Sequence, residues 1–155
     1  MTLENLKDYW KDIALKHKDV KQFQVGSWYD TATQQKQPSD LYPLVFWEMP
    51  YNIQYNAVWS RRVDNITCSM SVFLYTKMDD IDDSHQAISI AKSIGDAIIT
   101  KAKLEATEFS IESVNAVTVR EFTDDYVAGV RYDITILLQR DICDSEITEY
   151  FNDCV

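Results

Sequence analysis

Hydrophobic spacing along the chain switches between two periods, and the switches mark its elements. Leu3, Leu6, Trp10, Ile13, Ala14 and His17 recur at helical spacing with Lys and Asp between them, and Tyr9 widens the stripe. This spacing predicts an amphipathic, core-facing helix over residues 2–19, with Thr2 as N-cap because its hydroxyl can satisfy a free first-turn amide. From Lys21 to Tyr29 the period falls to two. Phe23, Val25 and Ser27 alternate with Gln22, Gln24 and Gly26, as in a short, half-buried strand. Residues 31–40, TATQQKQPSD, are almost free of apolar side chains, so 30–41 is expected to be an exposed loop.

The sheet is expected to begin at residue 42. Tyr42–Met49 is apolar and aromatic and is stopped by Pro50; Ile53–Val63 alternates in part. In Ile66–Met78 the alternation is clean, with Ile66, Cys68, Met70, Val72 and Leu74 on one side. Asp64-Asn65 supplies a turn between these two runs. Asp82, Asp83 or Ser84 can then cap a helix over about 84–105. Its apolar face is Ile88, Ala91, Ile94, Gly95, Ile98, Ile99 and Ala102. At 1.5 Å per residue such a helix is roughly 30 Å long, enough to cross one face of a small sheet.

Phe109–Phe122 and Val127–Leu138 read as two closing strands about a turn at Thr123-Asp124-Asp125. Cys143–Phe151 reads as a short helix capped by Asp144 or Ser145. Strands in runs with helices between them imply an α+β fold and one domain over 1–155. The expected architecture is an antiparallel sheet of two hairpins with the long central helix on one face, an N-terminal helix and a short C-terminal helix.

Composition fits this picture and narrows the function. The chain has 155 residues, 46% hydrophobic and 26% charged, with a net charge of −10. Cations are scattered apart from Arg61-Arg62 and the Lys16/Lys18 pair. A phosphate grip needs clustered cations, so tight binding to nucleic acid or an anionic membrane is not expected. No apolar run has the length of a signal core or a membrane span, so the expectation is a soluble protein made in the cytoplasm. Cys68, Cys143 and Cys154 form no CxxC and are expected to be reduced, structural thiols.

Candidate chemistry is sparse. His17 and His85 are the only histidines, and neither accompanies a nucleophile motif or a zinc-binding spacing. Asp79, Asp80, Asp82 and Asp83 lack the spacing and the glycine of a calcium loop, and read as a solvated helix start. Asp124-Asp125 reads as a turn. The three glycines, Gly26, Gly95 and Gly129, are too far apart to cradle a phosphate. No catalytic residue, metal site or cofactor is therefore assigned, and the chain is read as a non-enzyme.

The aromatics are the remaining signal. Tyr42, Phe46, Trp47, Tyr51, Tyr55 and Trp59 crowd one region, and on alternating strands they cannot all face one core. They are the candidate subunit interface. The competing reading has them cover the sheet's second face within one copy.

Three stretches carry a family resemblance. RRVDNITCSMSVFLYTK (61–77), DDIDDSHQAISIAKSIGDAII (79–99) and VNAVTVREFTDDYVAGVRYDITILLQ (114–139) resemble the long central strand, central helix and closing hairpin of tail-terminator and head–tail connector proteins of tailed bacteriophages. The chain also resembles neck proteins of crAss-like phages. The resemblance covers about residues 1–140. It departs from the family pattern in the strongly aromatic segment 42–63 and after Arg140, where no counterpart is recognised.

The resemblance implies a structural virion protein with no catalytic residues. Copies would associate head to tail into a ring, roughly six- or twelve-fold, at the neck or the head-proximal end of the tail. Neighbours would be portal, connector or tail-tube proteins, and DNA would pass through without specific binding. An acidic lumen would suit that passage. The alternative is a non-catalytic adaptor of a bacterial cell with the aromatic patch as its ligand face.

Overall fold

A computed structural model describes residues 1–27, 39–58, 61–77, 80–122 and 126–141. Helix α1 spans Leu3–Lys16, and the Thr2 hydroxyl accepts from the Asn5 amide at 3.1 Å, as the sequence predicts. Its apolar stripe, Leu6, Trp10, Ile13 and Ala14, is buried. Helix α2 spans Ile81–Glu105, starting three residues before the expected 84. Asp80 is its N-cap and accepts from the Asp83 amide at 2.9 Å, while Asp83 accepts from the Lys77 amide at 2.7 Å. The acidic cluster is thus a helix cap in its described part, and Asp79 lies outside the described residues.

The strands are β1 (Gln22–Gly26), β2 (Leu44–Val58), β3 (Arg61–Tyr75), β4 (Ser110–Phe122) and β5 (Tyr126–Asp141). Among the described residues they form one five-stranded sheet in the order β1-β2-β3-β5-β4. Three expectations are corrected. The sheet is mixed and not antiparallel, because β1 runs parallel to β2. Nor does Pro50 end a strand: β2 continues through it with a register irregularity between Glu48 and Asn52, the kind of place where a missing N–H is tolerated in a sheet. Asp64-Asn65 is no turn. Both lie inside β3, opposite Tyr55 and Gln54, because the alternation of β3 runs on past them. Of the expected loop, Ser39–Leu41 forms one 3-10 turn; 30–38, the Thr123–Asp125 turn and the C-terminal helix lie outside the described residues.

Helices α1 and α2 share one face of the sheet. Val45 and Trp47 of β2, Ile66, Cys68, Met70 and Val72 of β3, and Val130, Tyr132, Ile134, Ile136 and Leu138 of β5 join them in the main core. Trp10 stacks on Trp47, with ring centroids 5.2 Å apart. Tyr132 reaches α2, its hydroxyl 3.0 Å from the Lys92 carbonyl and 3.1 Å from Asp96 Oδ1. This close approach needs Gly95: a Cβ there would lie 2.3 Å from the Tyr132 ring. Burial, followed by Asp96, raises the Tyr132 phenol well above its ordinary range. Burial likewise holds Cys68 as a neutral thiol, so it is a small core residue and not a reactive one.

Candidate interaction surfaces

The pleat sorts the predicted aromatic interface. Successive residues of a strand face opposite sides of the sheet, so neighbours in sequence part company. Trp47 lies under α1, wholly buried, and its Nε1 donates to the Tyr51 hydroxyl at 2.7 Å. Phe46 points the other way and is also buried, in a small cluster with Phe73 and Val127, against which Tyr42 and Val119 pack. Tyr42 and Tyr51 are half-buried, and Tyr55 is 63% exposed. Trp59 lies outside the described residues. Of the six residues, then, Phe46 and Trp47 are packing within this chain, and the five that are described do not form one patch. The sequence signal for this was the alternation itself, once β2 is known to run unbroken.

Beside Phe46, the same face carries a polar network. Arg131 forks onto Glu48, with Nε to Oε1 at 2.8 Å and Nη2 to Oε2 at 2.9 Å. Ser71 donates to Glu48 at 3.2 Å, and Ser69 donates to Asp133 at 2.6 Å while accepting from Arg131 at 3.1 Å. Glu48 and Arg131 reach each other across the intervening β3, so the network ties three adjacent strands. The bond to Glu48 raises the Arg131 pKa further, which keeps it charged at any working pH. Two carboxylates around one guanidinium leave no cationic surplus for an anion, and no group of three or more metal-ligating residues occurs among the described residues. The arrangement can brace the sheet. Sequence reading missed it because Glu48 and Arg131 are 83 residues apart.

The two ends of the sheet differ. At one end β1 adjoins a groove of about 440 Å³ lined by Leu3, Glu4, Lys7, Val25, Met49, Tyr51 and Ile53. Leu3, Val25 and Met49 stand exposed there, and Lys7 is engaged by Glu4 and Asp8, which leaves the floor apolar. At the other end β4 pairs, among the described residues, with β5 alone. Its Ser113, Asn115, Ala116, Val117 and Thr118 are exposed, Val117 to 56%. An edge strand of this kind presents a row of backbone donors and acceptors, and proteins that avoid edge pairing guard it with Lys, Pro or short length. β4 is 13 residues long; it carries a register irregularity between Ile111 and Ser113 and the charged Glu112, Arg120 and Glu121 towards its ends, while 113–119 between them holds no charge and no Pro.

The basic residues at the helix ends do not form a site. A hollow of about 330 Å³ is lined by Ile13, Lys16, His17, Lys18, Ala97, Ile98 and Lys101. Lys16 is paired with Asp12 and Lys101 with Glu105, and His17 is the C-cap of α1. His85 is exposed on the first turns of α2. No helix among the described residues is long and apolar enough to cross a membrane. No protein-family model matches the chain, and no curated protein matches it.

Proposed function

We propose that this chain is an assembly subunit: copies join head to tail into a ring of the tail-terminator or head–tail connector kind, at the neck or the head-proximal end of a phage tail. On this reading β2–β3 and β4–β5 are the two hairpins of that fold and α2 is its central helix. The ring joins the tail to a portal or collar layer, and DNA passes through its lumen without specific contacts. The observation that supports the reading is the pair of unlike sheet ends. A heterologous contact needs two different surfaces on one subunit, placed so that rotation brings one against the other. The β1 end with its apolar groove and the β4 edge, which among the described residues pairs with β5 alone, are two such unlike surfaces. The net charge of −10 suits a lumen that repels phosphate.

An adaptor reading draws on the groove alone, as a seat for an apolar peptide of another protein, and leaves the β4 edge without a role. Mass by light scattering over a concentration series separates the two. A closed species of roughly six or twelve copies, seen as an annulus by negative-stain microscopy, supports the ring. A protein that stays monomeric to millimolar concentration returns the adaptor reading to first place.

A further inference from the structure

We infer that the ring contact is made by β-sheet extension: the β4 edge of one copy pairs antiparallel with the β1 edge of the next. The inference rests on the assembly reading above and adds which surfaces meet.

Strand direction comes first. β1 is parallel to β2, β2 antiparallel to β3, β3 antiparallel to β5, and β5 antiparallel to β4. The two terminal strands of the sheet therefore point in opposite senses. When a second copy continues the sheet in the same sense, its β1 meets β4 antiparallel, the arrangement that is slightly the more stable per residue. A β4-to-β4 contact across a two-fold axis is also antiparallel, but it leaves the β1 end and its groove unused.

Charge comes second. On a chain of net charge −10, two copies approach best where neither carries charge. Residues 22–26, QFQVG, hold no charged side chain, and neither do residues 113–119, SVNAVTV. These are the whole of β1 and the exposed middle of β4, and their lengths match to within two residues.

Side-chain facing comes third. Phe23 packs with the main core on the helix side of the sheet, and Val25 lines the groove with Leu3 on that same side. On β4, Val114, Ala116 and Thr118 take the helix side, opposite Ile134, Tyr132 and Val130, while Asn115 and Val117 take the other. In a continued sheet the small Ala116 and Thr118 of one copy come beside Val25 at the mouth of the next copy's groove. The groove is where exposed Leu3, Val25 and Met49 gain cover.

The strand spacing also sets the size of such a ring. Five strands at about 4.8 Å give roughly 24 Å of circumference per copy, so six copies give about 145 Å and a diameter near 45 Å. Strand tilt widens that figure.

The test uses two full-length variants, Val117→Lys on β4 and Val25→Lys on β1, both at exposed positions. Thr118→Lys and Met49→Lys, also exposed, replace either one that fails to give a wild-type circular dichroism spectrum and melt. Each folded variant alone is expected to be monomeric where the wild type is a ring. Mixed one to one, the two should give a heterodimer, since Val25→Lys keeps an intact β4 edge and Val117→Lys an intact β1 edge. Rings that survive both substitutions overturn the edge contact and leave the assembly reading standing. A Val25→Lys variant that forms a stable dimer by itself, while Val117→Lys does not, overturns it in favour of β4-to-β4 pairing. A wild type that never associates overturns the contact and the assembly reading together.

Discussion

The middle and the ends of the sheet are built to opposite specifications. β3 and β5 pair along 15 positions, from Arg61 opposite Asp141 to Tyr75 opposite Val127. Helices cover one face of this pair, and the other face holds the Glu48–Arg131 network and the Phe46–Phe73–Val127 cluster. Among the described residues β1 and β4 are each paired on one side alone, and a valine stands exposed on both. The lesson is that apolar character alone does not identify an interface in this chain. Trp47 is the larger hydrophobe and is core; Val117 is small and stands at the surface. Substitutions in the middle should therefore cost folding, and substitutions at the ends should cost association.

Trp47→Asp is the strongest test of the first half. It removes a wholly buried ring stacked on Trp10 and puts a charge under α1. Truncating such a ring costs about 3–5 kcal/mol, and an unpaired buried charge adds to that. The variant should be largely unfolded by circular dichroism at room temperature. Were it folded but dissociated, Trp47 would belong to the interface after all.

Gly129→Ala comes next. A Cβ at 129 would lie 1.9 Å from the Val72 carbonyl oxygen, in the backbone of the neighbouring strand, so the β3–β5 ladder itself must move. About 3 kcal/mol of stability should be lost in urea titration. Arg131→Met follows, at about 2–3 kcal/mol. Glu48 is left buried without its guanidinium, but the Arg131 side chain is 36% exposed, which keeps the cost below that of a fully buried pair.

Alkaline pH should give a smaller effect with a definite sign. Tyr132 has its phenol raised in the folded state, chiefly by burial, so the folded protein favours the neutral form. Its contribution is fully present below the ordinary value of 10.0 and is lost as pH rises above it. In a spectrophotometric titration the Tyr132 phenol should ionise only as the protein unfolds. Tyr132→Phe should remove that late ionisation and flatten the alkaline loss. At the far end of the series, Val117→Lys should change the stability of the isolated subunit by no more than about 0.5 kcal/mol while abolishing association.

Much of this architecture was legible in residue spacing. The stripe from Leu6 to Ala14, the Thr2 cap, the long helix and the alternation of β5 all follow from local rules, because each reflects a face set by the period of its own element. What escaped was long-range. That β1 lies parallel beside β2 depends on which edge it joins, and nothing in QFQVG states it. Pro50 and Asp64-Asn65 carried local turn and breaker signals that the extended pairing of β2 and β3 overrode. The aromatic segment misled for the same reason: with β2 broken at Pro50 its residues form a crowd, and with β2 continuous they divide between two faces. The groove and the β4 edge were legible only once strand order was known.

Hydrogen exchange of the assembled wild-type protein tests the division between middle and ends most directly. Read by mass spectrometry on peptides spanning 110–122 and 22–26, it compares the assembled protein with the folded Val117→Lys subunit. The account predicts slow exchange in both peptides in the assembly and faster exchange in both in the variant, with β3 and β5 equally protected in the two. Peptides 110–122 and 22–26 that exchange equally fast in a stable ring and in the free subunit would contradict it, and would place the contact between copies somewhere other than the ends of the sheet.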